Sequence, residues 1–75
     1  MKHRQVLSEL LRELRQQAEM SQETLADKAG LHRTYISQLE RGLKSPTLDV
    51  LDALARALGI TLKTFLAQYS RRFGS

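Results

Sequence analysis

The spacing of apolar residues is the feature that most restricts the fold of this chain. Apolar residues recur at every third or fourth position in successive segments, which places them on one face of a helix. No segment alternates apolar with polar residues for long enough to indicate a strand. Glycines and the single proline punctuate the helical segments. We therefore predict an all-α fold of five short helices joined by tight turns.

The first three predicted helices follow one another closely. The first spans about residues 5–18, with an apolar face of Leu7, Leu10, Leu11, Leu14 and Ala18. Ser21 is predicted to cap the second, which runs from Gln22 to Ala29. That helix stops at Gly30 because glycine takes the left-handed conformation without steric cost. A third helix begins directly afterwards, and its inward-facing residues are Ile36, Leu39 and Glu40.

Two further helices complete the predicted fold. After a loop of residues 42–46, Thr47 caps a fourth helix that ends at Gly59, and Thr61 caps the fifth. The apolar residues at helical spacing are Leu48, Leu51, Leu54, Ala55 and Leu58 in the fourth, and Leu62, Phe65, Leu66 and Tyr69 in the fifth. A chain of 75 residues has room for one domain, which we assign to residues 1–75.

The residue inventory excludes several classes of protein. Without cysteine there is no disulfide scaffold, thiolate metal site or cysteine nucleophile. His3 and His32 are far apart in sequence, and no glycine-rich phosphate loop is present. No apolar run approaches the ~20 residues that span a bilayer, and the start lacks the apolar stretch of a signal peptide. We therefore expect no catalysis, cofactor, metal or membrane association, and a cytoplasmic, nucleoid-associated protein.

The net charge of +4 is weak evidence by itself. Residues 1–20 and 21–46 each contribute +1, residues 47–66 contribute none, and residues 67–75 contribute +2 through Arg71 and Arg72. A basic balance favours nucleic acid or an anionic surface as a partner. The alternative is a solvated surface with a slight excess of one sign, so the position of the charges has to decide.

Residues 21–41 carry the functional information. Two helices of about eight and nine residues are joined by a turn that contains a glycine, which is typical of a helix-turn-helix motif. The outer face of the second helix carries a polar stripe at helical spacing, formed by Thr34, Ser37, Gln38 and Arg41, with Arg33 beside it. Such side chains form hydrogen bonds with base edges in the major groove of DNA. A solvated helix face more often mixes glutamate with lysine, so the stripe favours DNA binding.

From Met20 to Gly42 the sequence closely resembles the helix-turn-helix core of the XRE family, the lambda-repressor-like domains of Cro and cI type. The shared motifs are S-Q-x-x-L-A, the A-G turn, Y-I-S-x-L-E-x-G and, further on, A-x-A-L-G. The resemblance covers about residues 7–66. It implies a five-helix lambda-repressor-like domain and a transcriptional regulator. It also implies binding of a palindromic double-stranded operator by a homodimer, with the third helix in the major groove.

The resemblance implies roles for single residues as well. Those that match base-reading positions are Arg33, Thr34, Ser37 and Gln38. Gln22, Arg41 and Lys44 match positions that contact the DNA backbone, and the Gln22 backbone N–H lies at a positively polarised helix end. Tyr35 lies where side chains pack beside the DNA backbone, and it either donates a hydrogen bond to a phosphate or only packs.

The resemblance also implies a structural role for two residues, and a third departs from the family pattern. Arg15 and Glu40 match a pair that, in several family members, forms a buried ion pair between the first helix and the end of the third. His32 departs from the family pattern, in which Ser or Thr is the usual N-cap of the third helix. Histidine caps less well, so His32 is either a tolerated loop residue or turns towards DNA or a neighbouring side chain.

Aromatic residues are concentrated near the C-terminus. They recur at i, i+4 and i+8 as Phe65, Tyr69 and Phe73. Because helix-turn-helix proteins usually bind as dimers, we predict that these three form a homodimer contact within residues 62–75. For Leu62, Phe65 and Leu66 we prefer the alternative that they close the core of the monomer, which leaves Tyr69 and Phe73 as the main residues of the dimer contact. Arg71 and Arg72 either touch flanking phosphates or only keep the end solvated.

Several kinds of regulator fit a DNA-binding domain of this size. They are a small autoregulating repressor, the controller protein of a restriction–modification system, and an antitoxin that represses its own operon. The alternative from another class is a helical adaptor, such as an antitoxin, whose main partner is a toxin or another protein. A strong dependence of affinity on salt would distinguish DNA binding from that alternative.

Overall fold

The computed structural model describes residues 2–74, and this part of the chain contains five α-helices and no strand. They are α1 (Lys2–Gln17), α2 (Gln22–Ala29), α3 (Arg33–Glu40), α4 (Leu48–Ala57) and α5 (Leu62–Gly74). The all-α prediction is therefore confirmed, and α2 has the predicted bounds. None of the helices between residues 2 and 74 is long and apolar enough to cross a membrane.

Polar side chains start three of the helices at the predicted residues. Ser21, Thr47 and Thr61 each accept a hydrogen bond from the backbone N–H three residues later, at 3.0, 3.1 and 3.0 Å. This satisfies one of the N–H groups that a helix leaves unpaired at its start. His32 holds the same position before α3 but makes no such bond with its side chain. The departure from Ser or Thr therefore leaves α3 with a weaker start.

The start of α1 differs from the prediction, since the helix begins at Lys2 rather than at about residue 5. Residues 2–4 lack a periodic apolar residue, but two of them contact distant parts of the chain. The His3 ring contacts α5, and Arg4 donates a hydrogen bond to Ser45. Tertiary contacts of this kind commonly stabilise a helical turn that its own sequence does not favour.

The core is formed by apolar side chains from all five helices. Its buried members are Leu7, Leu10, Leu11, Leu25, Ala26, Ile36, Leu39, Leu51, Leu54, Ala55 and Phe65. Complete burial of a Leu, Ile or Phe side chain stabilises the fold by about 1.5–3 kcal/mol. Ile36 and Leu39 attach α3 to this core by one face. The opposite face of α3 is thereby held outward.

Candidate nucleic-acid interface

A tight turn joins α2 to α3. Gly30 ends α2 with φ 71° and ψ 32°, in the left-handed region that costs other residues energy. The Leu31 N–H then donates to the Ala26 carbonyl at 2.9 Å, which closes the turn. A carbon added at Gly30 would meet no atom within 4 Å, so glycine is favoured here by backbone conformation alone. The turn leaves only three residues between the end of α2 and the start of α3.

The outer face of α3 carries the four residues expected to face DNA bases. Arg33 and Thr34 are exposed at the beginning of the helix, while Ser37 and Gln38 are partly buried one turn later. They lie apart from the inward-facing Ile36 and Leu39, which are at most 1% exposed. The helix therefore presents a short polar surface of donors and acceptors that a DNA groove could contact.

The expected backbone-contacting residues lie in α3 and in the elements on either side of it in the chain. Gln22 is the first residue of α2, Arg41 follows the last residue of α3, and Lys44 lies in the next loop. Arg41 and Lys44 are exposed. Tyr35 is partly buried and packs against the core, which favours the packing alternative for its ring. Arg33, Arg41 and Lys44 thus give this part of the chain three exposed positive charges.

A buried ion pair links the end of α3 to α1. Arg15 Nε donates to Glu40 Oε2 at 2.6 Å, and Arg15 Nη2 donates to Glu40 Oε1 at 2.9 Å. Only 13% of the Arg15 side chain and 4% of the Glu40 side chain are exposed. The bonds to Glu40 raise the pKa of Arg15 above its ordinary value. The pair that the family resemblance implies is thus present, with two parallel hydrogen bonds.

Two further hydrogen bonds extend this ion pair into a network. Arg15 Nη1 donates to the Met20 carbonyl at 2.8 Å, and Gln22 Nε2 donates to Glu40 Oε1 at 3.1 Å. The Gln22 side chain is therefore held by Glu40 in this structure, which the sequence alone did not predict. Its backbone N–H still lies at the positive end of α2. The negative charge of Glu40 is balanced by the positive charge of Arg15.

The aromatic residues near the C-terminus do not form one exposed stripe. Phe65 is 0% exposed and belongs to the core, which favours its role in closing the core of the monomer over a place in a dimer contact. Tyr69 and Phe73 are partly buried, with ring centroids 5.0 Å apart in an edge-to-face arrangement. Burial raises the pKa of Tyr69 above its ordinary value.

His3 completes this aromatic cluster from α1. Its Nδ1 lies 2.6 Å from the Tyr69 hydroxyl, and its ring centroid lies 4.7 Å from that of Phe73. These contacts join the first turn of α1 to the last turns of α5. Tyr69 and Phe73 are thus partly covered by their own chain, which the sequence did not reveal because the partner is 66 positions from Tyr69.

An apolar groove lies beside this cluster. It has a volume of about 270 Å³, and its lining includes Pro46, Leu48, Leu66 and Tyr69. Leu48 was expected to lie on the apolar face of the fourth helix, but it is 65% exposed at the helix start. Leu43, in the preceding loop, is 52% exposed. Contiguous exposed apolar surface, here the groove together with Leu48, marks a candidate site of protein contact.

Comparison with known proteins places these features in a family. The helix-turn-helix model HTH_3 matches residues 11–65. The control protein C.BamHI of Bacillus amyloliquefaciens is 49% identical over 47 residues, which are 63% of this chain and 58% of that protein. The control protein C.SmaI of Serratia marcescens is 40% identical over 65 residues, which are 87% of this chain and 77% of that protein.

A solved structure agrees with this assignment over the whole chain. The restriction–modification controller protein C.Esp1396I, crystallised as a tetramer with its natural 35-base-pair operator, superposes with a TM-score of 0.90 and 27% identity. The match covers 100% of this chain and 99% of that one. The five-helix fold, the α2–α3 motif and the match over residues 11–65 lead to one conclusion: the chain belongs to the helix-turn-helix family HTH_3.

Proposed function

We propose that this chain is a sequence-specific DNA-binding transcriptional regulator, and that it serves as the controller protein of a restriction–modification system. It acts in the cytoplasm, on the nucleoid, by binding rather than by catalysis. One observation carries the proposal: the second helix of the motif holds Arg33, Thr34, Ser37 and Gln38 on its face away from the core. The similarity to control proteins supports the finer assignment.

In this proposal α3 enters the major groove. Gln38 bonds to adenine and Arg33 to guanine, since these are the bases whose edges match the two side chains. Arg41, Lys44 and the Gln22 backbone N–H hold phosphates on either side of the groove. The ion pair between Arg15 and Glu40 fixes the end of α3 relative to α1. It thereby sets the angle at which α3 meets the bases.

A homodimer would place two copies of α3 on one palindromic site. Helix-turn-helix dimers bind half-sites about 34 Å apart, so the contact between copies must hold the two α3 helices at that spacing. The groove beside Leu48 is the contact that we propose, because it is apolar and includes Ser45 and Pro46, in the loop just after α3. Leu48 lines the same groove, so a two-fold arrangement would insert each Leu48 into the groove of the other copy.

Two substitutions test the assignment of base and phosphate contacts. Gln38→Ala should weaken binding to the selected operator by about 1–3 kcal/mol and leave binding to random DNA unchanged. Lys44→Ala should weaken binding to both by similar factors, because a phosphate contact is independent of sequence. Randomised-site selection supplies the operator, and fluorescence anisotropy with labelled duplexes supplies the affinities.

The outcome of the same titrations separates the alternatives. The proposal is supported if both variants bind the operator more weakly and if Lys44→Ala, but not Gln38→Ala, also binds random DNA more weakly. The reverse pattern would overturn the assigned roles. A chain that shows no salt-dependent binding to any duplex would instead be a protein adaptor, since phosphate contacts release counterions and make affinity fall steeply with salt.

Leu48 offers a separate test of the dimer. Leu48→Ser should reduce the mass measured by sedimentation equilibrium from that of two chains to that of one, because an exposed leucine can be lost without opening the core. Leu43→Ser is the matched control, since Leu43 is also exposed but does not line the groove. Equal masses for the two variants would exclude the groove as the contact.

A further inference from the structure

The first turn of α1 packs directly on the loop that follows α3. A carbon added at Gly42 would lie 3.8 Å from the Arg4 carbonyl oxygen, so the loop backbone runs close to α1 at this point. In the same place Arg4 Nε donates to Ser45 Oγ at 3.0 Å. Lys44, which we assign to a DNA phosphate, immediately precedes Ser45 in this loop. Arg4 is therefore fixed beside the proposed DNA-facing loop although it lies 40 positions from Lys44 in sequence.

The charge of Arg4 is not balanced by the group that holds it. Arg15, Arg56 and Arg72 are each bonded to a carboxylate, at 2.6, 3.1 and 2.6 Å. Arg4, in contrast, is bonded to a neutral hydroxyl through Nε, and its side chain is exposed. Among residues 2–74 its two terminal nitrogens have no hydrogen-bond partner. The guanidinium is thus oriented by Ser45 and its terminal nitrogens are unpaired, while Arg4 and Ser45 also line the groove that we propose receives Leu48 of a second copy.

We infer that Arg4 binds a DNA phosphate next to the one held by Lys44, and so extends the interface beyond the helix-turn-helix motif to the start of α1. The inference rests on the proposed function. A guanidinium can donate two parallel hydrogen bonds to one phosphate, which a lysine cannot do. Ser45 acts as a positioning residue, since its bond to Nε holds the guanidinium in place before DNA arrives. No sequence motif identifies Arg4, because it precedes the family resemblance.

Arg4→Gln tests the inference with little effect on the fold, because it removes the charge and keeps a polar stem at an exposed site. Each phosphate contact contributes about 0.9 to the slope of log affinity against log salt concentration, which corresponds to ~8-fold in affinity for a tenfold change in salt. We expect Arg4→Gln to make this slope less steep by about 1. The same variant should bind about 5–10-fold more weakly at moderate salt, on operator and random duplexes alike.

Three other variants make the result specific. Arg12→Gln is the matched control: it removes the same charge from an exposed site on α1, and Arg12 lies near Glu13. It should leave slope and affinity unchanged. Arg4→Lys should keep the slope but bind more weakly than the unchanged chain, because the charge remains and the second hydrogen bond is lost. Ser45→Ala should also keep the slope and weaken binding, since Arg4 is then less well oriented.

Phosphate ethylation interference locates the contact. Ethylation of the phosphate that Arg4 contacts, one in each half-site, should weaken binding of the unchanged chain. Ethylation of the same phosphate should have no effect on binding of the Arg4→Gln variant. Equal behaviour of Arg4→Gln and Arg12→Gln, with Lys44→Ala still weakening binding, would overturn the inference and leave the proposed function intact. A change of sedimentation mass with Arg4→Gln would assign Arg4 to the contact between copies instead. If Lys44→Ala and Gln38→Ala are also without effect, the proposed function itself fails.

Discussion

Glu40 accepts three hydrogen bonds from two elements of the fold. Arg15 supplies two of them and Gln22 supplies the third. Since the carboxylate is almost completely buried, each donor offsets part of the cost of removing its charge from water. One side chain thereby connects α1, the start of α2 and the end of α3. At the scale of the residue, the geometry of the reading helix depends on this carboxylate.

Removing one partner of this pair should be costly. We expect Arg15→Met to lower the free energy of unfolding by about 3 kcal/mol, because the Glu40 charge is left buried and largely unpaired. The double variant Arg15→Met, Glu40→Leu should lose less, since no buried charge remains. Urea unfolding followed by circular dichroism, at one fixed protein concentration, measures both. A double variant less stable than Arg15→Met would mean that the unpaired Glu40 charge is not the cause of the loss in the single variant.

At the scale of the element, the ends of α1 and α2 show the same backbone conformation with different residues. Gly30 ends α2 at φ 71°, and Glu19 follows α1 at φ 57°. The Met20 N–H donates to the Arg15 carbonyl at 3.1 Å, so the chain closes α1 through Glu19 much as it closes α2 through Gly30. A side chain at positive φ is strained, whereas glycine is not.

Opposite substitutions at these two positions should have opposite effects. Glu19→Gly should raise the free energy of unfolding by about 0.5–1 kcal/mol, because glycine removes the strain of a side chain at positive φ. Gly30→Ala should lower it by about 1 kcal/mol, because it introduces the same strain. Thermal unfolding of the two variants measures the difference. Glu19→Ala is the control for loss of the carboxylate. If Glu19→Ala stabilised as much as Glu19→Gly, the charge of Glu19 rather than its backbone would be responsible.

For the whole molecule, closure depends on contacts between α1 and α5. His3 joins Tyr69 and Phe73 at one place, and Arg72 Nη1 donates to Glu13 Oε2 at 2.6 Å at another. The bond from Arg72 lowers the pKa of the exposed Glu13 below its ordinary value of 4.5. The contacts of His3 with Tyr69 and Phe73 thus hold the first turn of α1 against the last turns of α5, next to the apolar groove.

The Glu13 contact makes a small part of stability depend on pH. Because the pKa of Glu13 is lower in the folded chain than in the unfolded chain, its contribution is complete above 4.5 and is lost as pH falls through the folded value. We expect Glu13→Gln to lower the melting temperature at neutral pH, and this difference from the unchanged chain to disappear in acid. Glu9→Gln, on the same helix, is the control. A difference that stays constant down to strongly acidic pH, or that resists high salt, would contradict this assignment.

The sequence by itself determined the features that depend on neighbouring residues. The caps at Ser21, Thr47 and Thr61 and the turn at Gly30 follow from the chemistry of one to four consecutive residues. The polar stripe on α3 follows from the period of 3.6 residues per turn. The resemblance of the sequence to a known family then strengthened the prediction of DNA binding. It also implied the pairing of Arg15 with Glu40, which residue spacing alone does not predict.

Only the tertiary structure decided which of these surfaces are covered and by what. Helical spacing assigned Leu48 and Phe65 to apolar faces, but packing left Leu48 exposed and buried Phe65. The contacts of Arg4 with Ser45 and of His3 with Tyr69 join residues 41 and 66 positions apart. Periodicity tells which way a side chain points from its own helix, whereas its neighbours depend on how the helices pack. The proposed phosphate contact at Arg4 and the groove at Leu48 therefore depend on the tertiary structure and not on any local pattern.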